Sequence, residues 1–431
     1  MMASPAFRNG FAVLVFFTVL AGDAWRYSIS WYGFGAVAIA ITTIAAILLV
    51  RERRLDRWNV GKLPYPLLAF LLLATVSIAW SHYRGATAIG LLVTWMTIVT
   101  AVGVAVTYSW REILNGLAAA LRIILGLSLV FELVVATLVR APLLPFWVDY
   151  GDQEKLPKLL YWSRNELFEV FDGGKIQGIV GNSSLLGFVA LLGLIVFGLR
   201  LAEKRGRGFW PWFWLGIAGL TVLFTRSATI TIAIAACAFV VLVILAIRRS
   251  RSPRGRAIVY GVIAGAAAAG IAAIFLFSSQ LLGVLGKSDD LTGRLLIWER
   301  VIGLAQERPA FGWGWISYWM PWVDPFDSLV VRSGVLQLHA HNAWLDVWMQ
   351  LGVAGLIVFG ALVLFTLLRS WTTAVDRPQS APDAPGEYTV VSMLPILLLV
   401  ALLVQSVAES RLLVEYGMLL LVITAVKTRS P

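Results

Sequence analysis

The sequence contains one cysteine and three histidines in 431 residues. A single cysteine excludes a disulfide framework and any cysteine-built metal site. Neither HExxH nor CxxC occurs, so no zincin helix or zinc ribbon is expected, and no metal or other cofactor is predicted. Charged residues are scarce too, at 14% of the chain against roughly 25% in soluble domains, while hydrophobic residues reach 59%. With a mean hydropathy of +0.82, too little polar surface remains to enclose a water-soluble core. Two or three soluble domains, the ordinary expectation for this length, are thereby excluded. The composition is that of an all-α polytopic membrane protein.

A spanning helix requires about 20 mostly apolar residues. Apolar runs between charged, proline or glycine breaks fall at about 8–22, 32–50, 63–80, 87–108, 113–139, 183–200, 209–224, 227–247, 257–277, 342–368, 389–408 and 412–426. Twelve transmembrane helices are therefore predicted. The first is not expected to be a cleaved signal, because Asp23, Trp25 and Arg26 follow it rather than a small-residue cleavage site. Alternate connections are short and basic: RERRLDRWNVGK (51–62), RLAEKRGR (200–207) and RRSRSPRGR (248–256). The positive-inside rule places these, and both termini, in the cytoplasm. The net charge of +11 then reports topology, and no nucleic-acid partner is needed to explain it. One transmembrane domain over 1–431 is expected, with long outer loops at 140–182 and 278–341, of a kind that usually carries function. A Pro/Ala/Asp-rich flexible cytoplasmic linker is expected at 369–388. No repeat of 20–50 residues stands out, nor the matched broken spans of an inverted-repeat transporter.

All three histidines, His82, His339 and His341, fall on the outer side of this topology. So do Arg226, at the turn between the seventh and eighth spans, and Glu409 and Arg411 at the last outer turn. Charge near hydrocarbon costs about 2.5–3.5 kcal/mol at a helix centre, so residues kept there line a cavity or hold a partner; Arg226 can also snorkel to the headgroups. In the second outer loop Leu295, Trp298, Ile302 and Ala305 recur at helical spacing until Pro309. That pattern predicts an amphipathic helix lying against the membrane surface, capped by Asp290 or Thr292. Arg294 would occupy its first turn, which is unfavourable for the helix dipole unless an anion such as phosphate or pyrophosphate is shared. The plain alternative is a surface pair with Asp289 or Asp290. His341 opens the tenth span as a candidate general base, with His339 as its rival and Asn342 either orienting it or capping the helix. The aromatics Trp313, Trp315, Tyr318, Trp319 and Trp322 suit an interfacial belt or a stacking surface for sugar rings. The glycine-broken approach from Lys175 to Asn182 can bring a further cation and a backbone amide to the same site. Glu132, Asp346 and Glu415 lie inside spans, as a carrier would require.

The stretch Thr292-Gly-Arg294…Trp298…Pro309-Ala-Phe-Gly312-Trp-Gly314, followed by His341-Asn342…Leu345…Gly352…Gly355, resembles the shared signature of the O-antigen ligase and O-antigen polymerase superfamily. Arg226-Ser-Ala at the start of a span, Lys175…Gly178…Gly181-Asn182 and Glu409-Ser410-Arg411 are similar to further family segments, so the likeness covers about 175–426. It implies a metal-independent glycosyltransferase of C-type membrane architecture in the bacterial cytoplasmic (inner) membrane. Such an enzyme passes a glycan from an undecaprenyl-pyrophosphate carrier to a hydroxyl of a glycan or glycolipid acceptor on the outer face. Carried over, Arg226 and Arg294 would hold the pyrophosphate and His341 would activate the acceptor. Lys175, Asn182, His339, Asn342, Trp298, Trp313, Glu409 and Arg411 would contact substrate. Two departures stand out: Lys175 occupies a usual arginine position, keeping the charge but not the fork, and Ser183-Ser184 replace Pro-Asn. The competing reading is a twelve-span carrier or flippase for the same lipid-linked glycan. A carrier needs polar residues near the midplane, whereas those of this chain cluster at one interface.

Overall fold

The computed structural model describes residues 4–148, 150, 156–203, 208–250, 252–276, 289–332, 334–377, 379–381, 384–385 and 387–429, with side chains for all but 266–276, 289–292, 379–381 and 384–385. Among them run thirteen α-helices: α1 (Pro5–Leu20), α2 (Gly22–Arg54), α3 (Tyr65–Val76), α4 (Arg84–Thr107), α5 (Trp110–Val134), α6 (Ser183–Ala202), α7 (Phe209–Thr225), α8 (Ala228–Arg249), α9 (Pro253–Leu276), α10 (Asp289–Glu307), α11 (Ala343–Val375), α12 (Leu394–Ser406) and α13 (Glu415–Arg429). Each of the twelve apolar runs falls on one of these, with α10 between them. By length and composition six can cross a membrane: α2, α4, α5 with its π-helical end, α6, α8 and α11. The apolar helices α1, α3, α7 and α12 are shorter. The chain is a multi-pass membrane protein.

Helix starts follow local capping chemistry. Ser109 accepts from the Glu112 N–H, and Glu112 accepts from Ser109 in return, a capping box that opens α5. Asn182 and Asn342 cap α6 and α11 with their side-chain oxygens. At the centre stands α13, whose residues Tyr416–Ala425 are all buried and which packs against α4, α11, α12 and α1. A helix apolar all round belongs in such a position.

The long connection after α10 locks onto α11 through two glycines. α11 breaks at Gly352, where φ is +66° and a methyl group would lie 2.2 Å from the Ala310 carbonyl carbon. Gly312, at φ +68°, would place one 2.4 Å from the carbonyl carbon of Gln350. Only glycine tolerates this conformation and this approach together. The two backbones exchange hydrogen bonds: Val353 and Ala354 N–H donate to Pro309 and Ala310, while Trp313 and Gly314 N–H donate to Met349 and Gln350, at 2.8–3.1 Å.

Three expectations shift. Because α10 begins at Asp289, Arg294 stands in its second turn rather than its first; the side chains of the expected caps Asp290 and Thr292 lie outside the described residues. α10 buries Ile297, Val301, Leu304 and Ala305 in a second, smaller apolar core with Trp313, Trp319 and Phe326. The stripe Leu295, Trp298 and Ile302 instead lines an open groove of about 760 Å³. The period was legible, but the buried face is turned toward the loop that covers it. Finally, α11 continues to Val375, inside the stretch expected to be a linker, and Gln379–Ala381 (β3) pairs antiparallel with Ala384–Pro385 (β4).

Candidate functional site

The start of α11 and the turn between α12 and α13 meet at one end of the bundle. His341 precedes α11 in the left-handed region, with φ +49°, a conformation that a non-glycine residue holds only when its surroundings fix it. Here they do. Its N–H donates to His339 Nδ1 at 3.1 Å, and the next N–H, of Asn342, donates to Ser410 Oγ at 3.2 Å. Asp346, buried one turn into α11, accepts from the Ala340 N–H at 3.0 Å, from Trp319 Nε1 at 2.9 Å and from Ser410 Oγ. One carboxylate thus ties both sides of the site together.

Glu409 is the junction of the reactive groups. Its Oε2 lies 3.2 Å from His341 Nδ1, and its Oε1 accepts from Arg294 Nη2 at 3.4 Å. Burial pushes the Glu409 carboxyl up, but His341, by charge and hydrogen bond, and the Arg294 guanidinium outweigh it and hold the pKa at about 2. A carboxylate fixed on Nδ1 leaves Nε2 as the imidazole atom that exchanges protons. Gln337 Oε1 faces that atom at 3.3 Å. Burial, and then the charge of His341, keep the His339 pKa well below the ordinary histidine value. His339 is therefore neutral, and its Nδ1 serves the backbone of His341.

The other expected site residues take varied places. Arg411 donates to Glu415 at 2.5 Å, and Glu415 also pairs with Arg26, which lies 3.2 Å from Asp23. Burial works against the Arg411 charge, but Glu415 outweighs it and raises its pKa. Arg411 so faces this inner network, and the Tyr318 ring, 5.5 Å from that of His339, is coupled electrostatically to it. Arg226, the exposed left-handed C-cap of α7, donates to the Val170 carbonyl at 2.9 Å. The contacts of Arg226 do not include the cluster of Arg294, Glu409 and His341. Lys175 is half-buried, and its N–H donates to Glu166 at 3.1 Å. Asn182 and Asn342 spend their side-chain oxygens on caps.

The aromatic run is mostly internal. Trp313 donates to the Leu304 carbonyl at 2.7 Å, Trp315 to Thr94 at 2.9 Å and Trp319 to Asp346. Their indole N–H groups need partners because the rings are buried; Trp322, 72% exposed, is left open. Trp298 donates to the Ala340 carbonyl at 3.0 Å, bracing the segment just before His341. His82 faces Asp324, 3.3 Å away, in an exposed pair.

The three intramembrane acids all have local partners. Glu132 accepts from Gln177 N, Gly178 N and Ser163 Oγ at 2.7–2.8 Å, pinning the first connection. Asp346 and Glu415 are engaged as described. His339, His341 and Glu409 each offer a donor atom, all within 4.8 Å, a spacing that a metal ion can use. Such an ion would compete with the Arg294 guanidinium for the same carboxylate.

Residues 211–360 match a family model described as O-antigen ligase. The exopolysaccharide production protein ExoQ of Rhizobium meliloti is 27% identical over 206 residues. The chain is thus similar to the O-antigen ligase family over 150 of its 431 residues, and to an exopolysaccharide production protein. It aligns with ExoQ over 44% of its own length and 45% of that protein's, so it spans less than half of the curated relative. The stretch that matches the family model contains Arg226, Arg294 and His341 but ends before Glu409. From the sequence, Asp346, one helical turn beyond His341, is assignable either to a transport path or to the outer site, and its bonds to Ala340 and Ser410 put it at the site; Ser410 stands out in the sequence only within the Glu409-Ser410-Arg411 segment.

Proposed function

We propose that this chain transfers a glycan from an undecaprenyl-pyrophosphate carrier to an acceptor hydroxyl, as a ligase or a polymerase, at the outer face of a bacterial cytoplasmic membrane. The observation that carries the reading is the sharing of Glu409: one oxygen meets the candidate base His341, the other the candidate phosphate ligand Arg294. Support for the outward placement comes from the basic connections, which join the opposite helix ends.

In this mechanism Glu409 holds His341 with its proton on Nδ1. An acceptor hydroxyl replaces Gln337 at Nε2 and gives up its proton there as its oxygen attacks the anomeric carbon. The bond from that carbon to the pyrophosphate oxygen breaks, and the electron pair leaves with the diphosphate. The Gln337 carbonyl then accepts from the protonated Nε2. Charge grows on the diphosphate in the transition state, so guanidinium groups fixed beside it stabilise that state more than the ground state. Arg294 is the first such group, and Arg226 is the second that the family resemblance suggests. No resident metal is required by these steps.

The test is incubation of purified protein with an undecaprenyl-pyrophosphate oligosaccharide, with and without acceptors. A product ladder means polymerase and a single shifted product means ligase. Transbilayer movement of intact donor without any transfer would refute the proposal in favour of a carrier. Loss of activity in EDTA would refute its metal-free form.

A further inference from the structure

A short hairpin precedes His341, formed by β1 (Val331–Arg332) and β2 (Val335–Leu336). Arg332 pairs with Val335 across it, and the chain leaving β2 carries Gln337, the partner of His341 Nε2. The hairpin turns the Arg332 side chain back onto α10. A methyl group on Gly293 would lie 2.3 Å from Arg332 Cζ and Nε and 2.8 Å from Nη2. The guanidinium therefore rests against the Cα of Gly293. The adjacent residue is Arg294, whose own guanidinium reaches Glu409. Two arginines from different elements thus meet α10 at adjacent positions, Arg332 against Gly293 and Arg294 next to it, with Arg294 reaching the carboxylate of the histidine–carboxylate pair.

Gly293 is otherwise unexplained. It sits inside a helix, where glycine costs about 0.5–1 kcal/mol relative to alanine, and it is not among the residues with positive φ. A helix-interior glycine with no conformational demand points to a packing reason, and the Arg332 side chain supplies it.

We propose that Arg332 is a donor-binding residue that completes, with Arg294, a two-armed clamp on the pyrophosphate of the lipid-linked donor. Gly293 is glycine so that the second arm can pass. The inference rests on the transfer reaction proposed above. A diphosphate offers oxygens on two phosphorus atoms, and a planar guanidinium grips one phosphate bidentately. Two such groups match the diphosphate and discriminate it from a monophosphate.

The test uses full-length purified protein and two probes, undecaprenyl pyrophosphate and undecaprenyl phosphate, as competitors of transfer. Arg332→Ala should weaken inhibition by the pyrophosphate about ten- to a hundredfold, the range of one charge-assisted contact, and leave the monophosphate nearly unchanged. Arg332→Lys should recover part of the preference. Gly293→Ala should fold normally, since only the end of a flexible side chain must move, yet show the same loss of preference. The double variant should be no worse than Arg332→Ala, because both changes remove one contact. Unchanged preference in Arg332→Ala, with Arg294→Ala impaired, would overturn the clamp and leave the transfer reaction standing. Equal weakening for both lipids would assign Arg332 a structural role and also overturn it. Unchanged binding in both arginine variants would overturn the pyrophosphate reading itself.

Discussion

Replacing Glu409 by glutamine isolates the charge that organises the site. The amide oxygen can still accept from His341 Nδ1, so the ring keeps its tautomer and orientation; what disappears is the negative charge between an imidazole and a guanidinium. The carboxyl pKa is held at about 2 from an ordinary 4.5. A shift of about 2.5 units, at about 1.36 kcal/mol each, corresponds to roughly 3 kcal/mol of preference for the ionised form. Glu409 is 7% exposed, so little of this is screened by solvent. His341 becomes cationic as it takes the acceptor's proton, and its share of this attraction, the rest belonging to Arg294, then stabilises the transition state. Loss of up to about 3 kcal/mol there lowers kcat by up to about a hundredfold.

The assay is transfer from an undecaprenyl-pyrophosphate oligosaccharide, with thermal unfolding in detergent measured on the same sample. Glu409→Gln should lose up to about two powers of ten in kcat, with a lower melting temperature because Arg294 keeps a neutral partner. Since the folded pKa is depressed, the stabilisation is fully present above about pH 4.5 and is lost as pH falls toward about 2. The melting temperatures of the parent and Glu409→Gln should therefore converge on acidification through that window. A folded Glu409→Gln protein with kcat within threefold of the parent would refute the electrostatic argument.

His341→Ala should abolish transfer while leaving donor binding nearly unchanged, whereas His339→Ala should retain measurable kcat, because His339 acts through the backbone of its neighbour. His339 stays neutral when folded but takes a proton near pH 6.5 when unfolded, so it costs stability as pH falls below that value. His339→Gln should accordingly flatten the fall in melting temperature between pH 7 and pH 5; an unchanged slope would count against its buried neutral state. Glu132→Ala should destabilise by on the order of 2–6 kcal/mol, since two buried backbone N–H groups lose their acceptor. A melting temperature equal to the parent's would show that the first connection is held by other contacts.

What the sequence disclosed depended on whether the physics was local. Apolar runs, the cap at Asn342 and the stop at Pro309 depend on neighbours within a turn or two, so they could be read directly. The face that α10 buries could not, because it is chosen by Trp313 and Phe326, residues that approach only once the loop has closed. Arg294 was expected one turn too early for the same reason that helix starts are soft: Asp289–Glu307 begins with polar residues that carry no periodic signal. The aromatic run was legible as aromatic but not as internal. Its indole partners Thr94, Leu304 and Asp346 come from three distant parts of the chain.

The glycines of the shared signature show how a site can be specified far from its chemistry. Gly312 and Gly352 touch no reactive group, yet they let the 309–314 segment lie backbone to backbone against α11. That contact places Trp319 over Asp346, and Asp346 in turn holds Ala340 and Ser410, the residues immediately beside His341 and Glu409. The base and its carboxylate are therefore oriented through a chain of three contacts that begins at a glycine. A side chain at position 352 would have to meet the Ala310 carbonyl carbon at 2.2 Å in a strained conformation, so one element would move. Because packed elements shift by discrete steps, displacement there would misplace the histidine by a distance that catalysis does not tolerate.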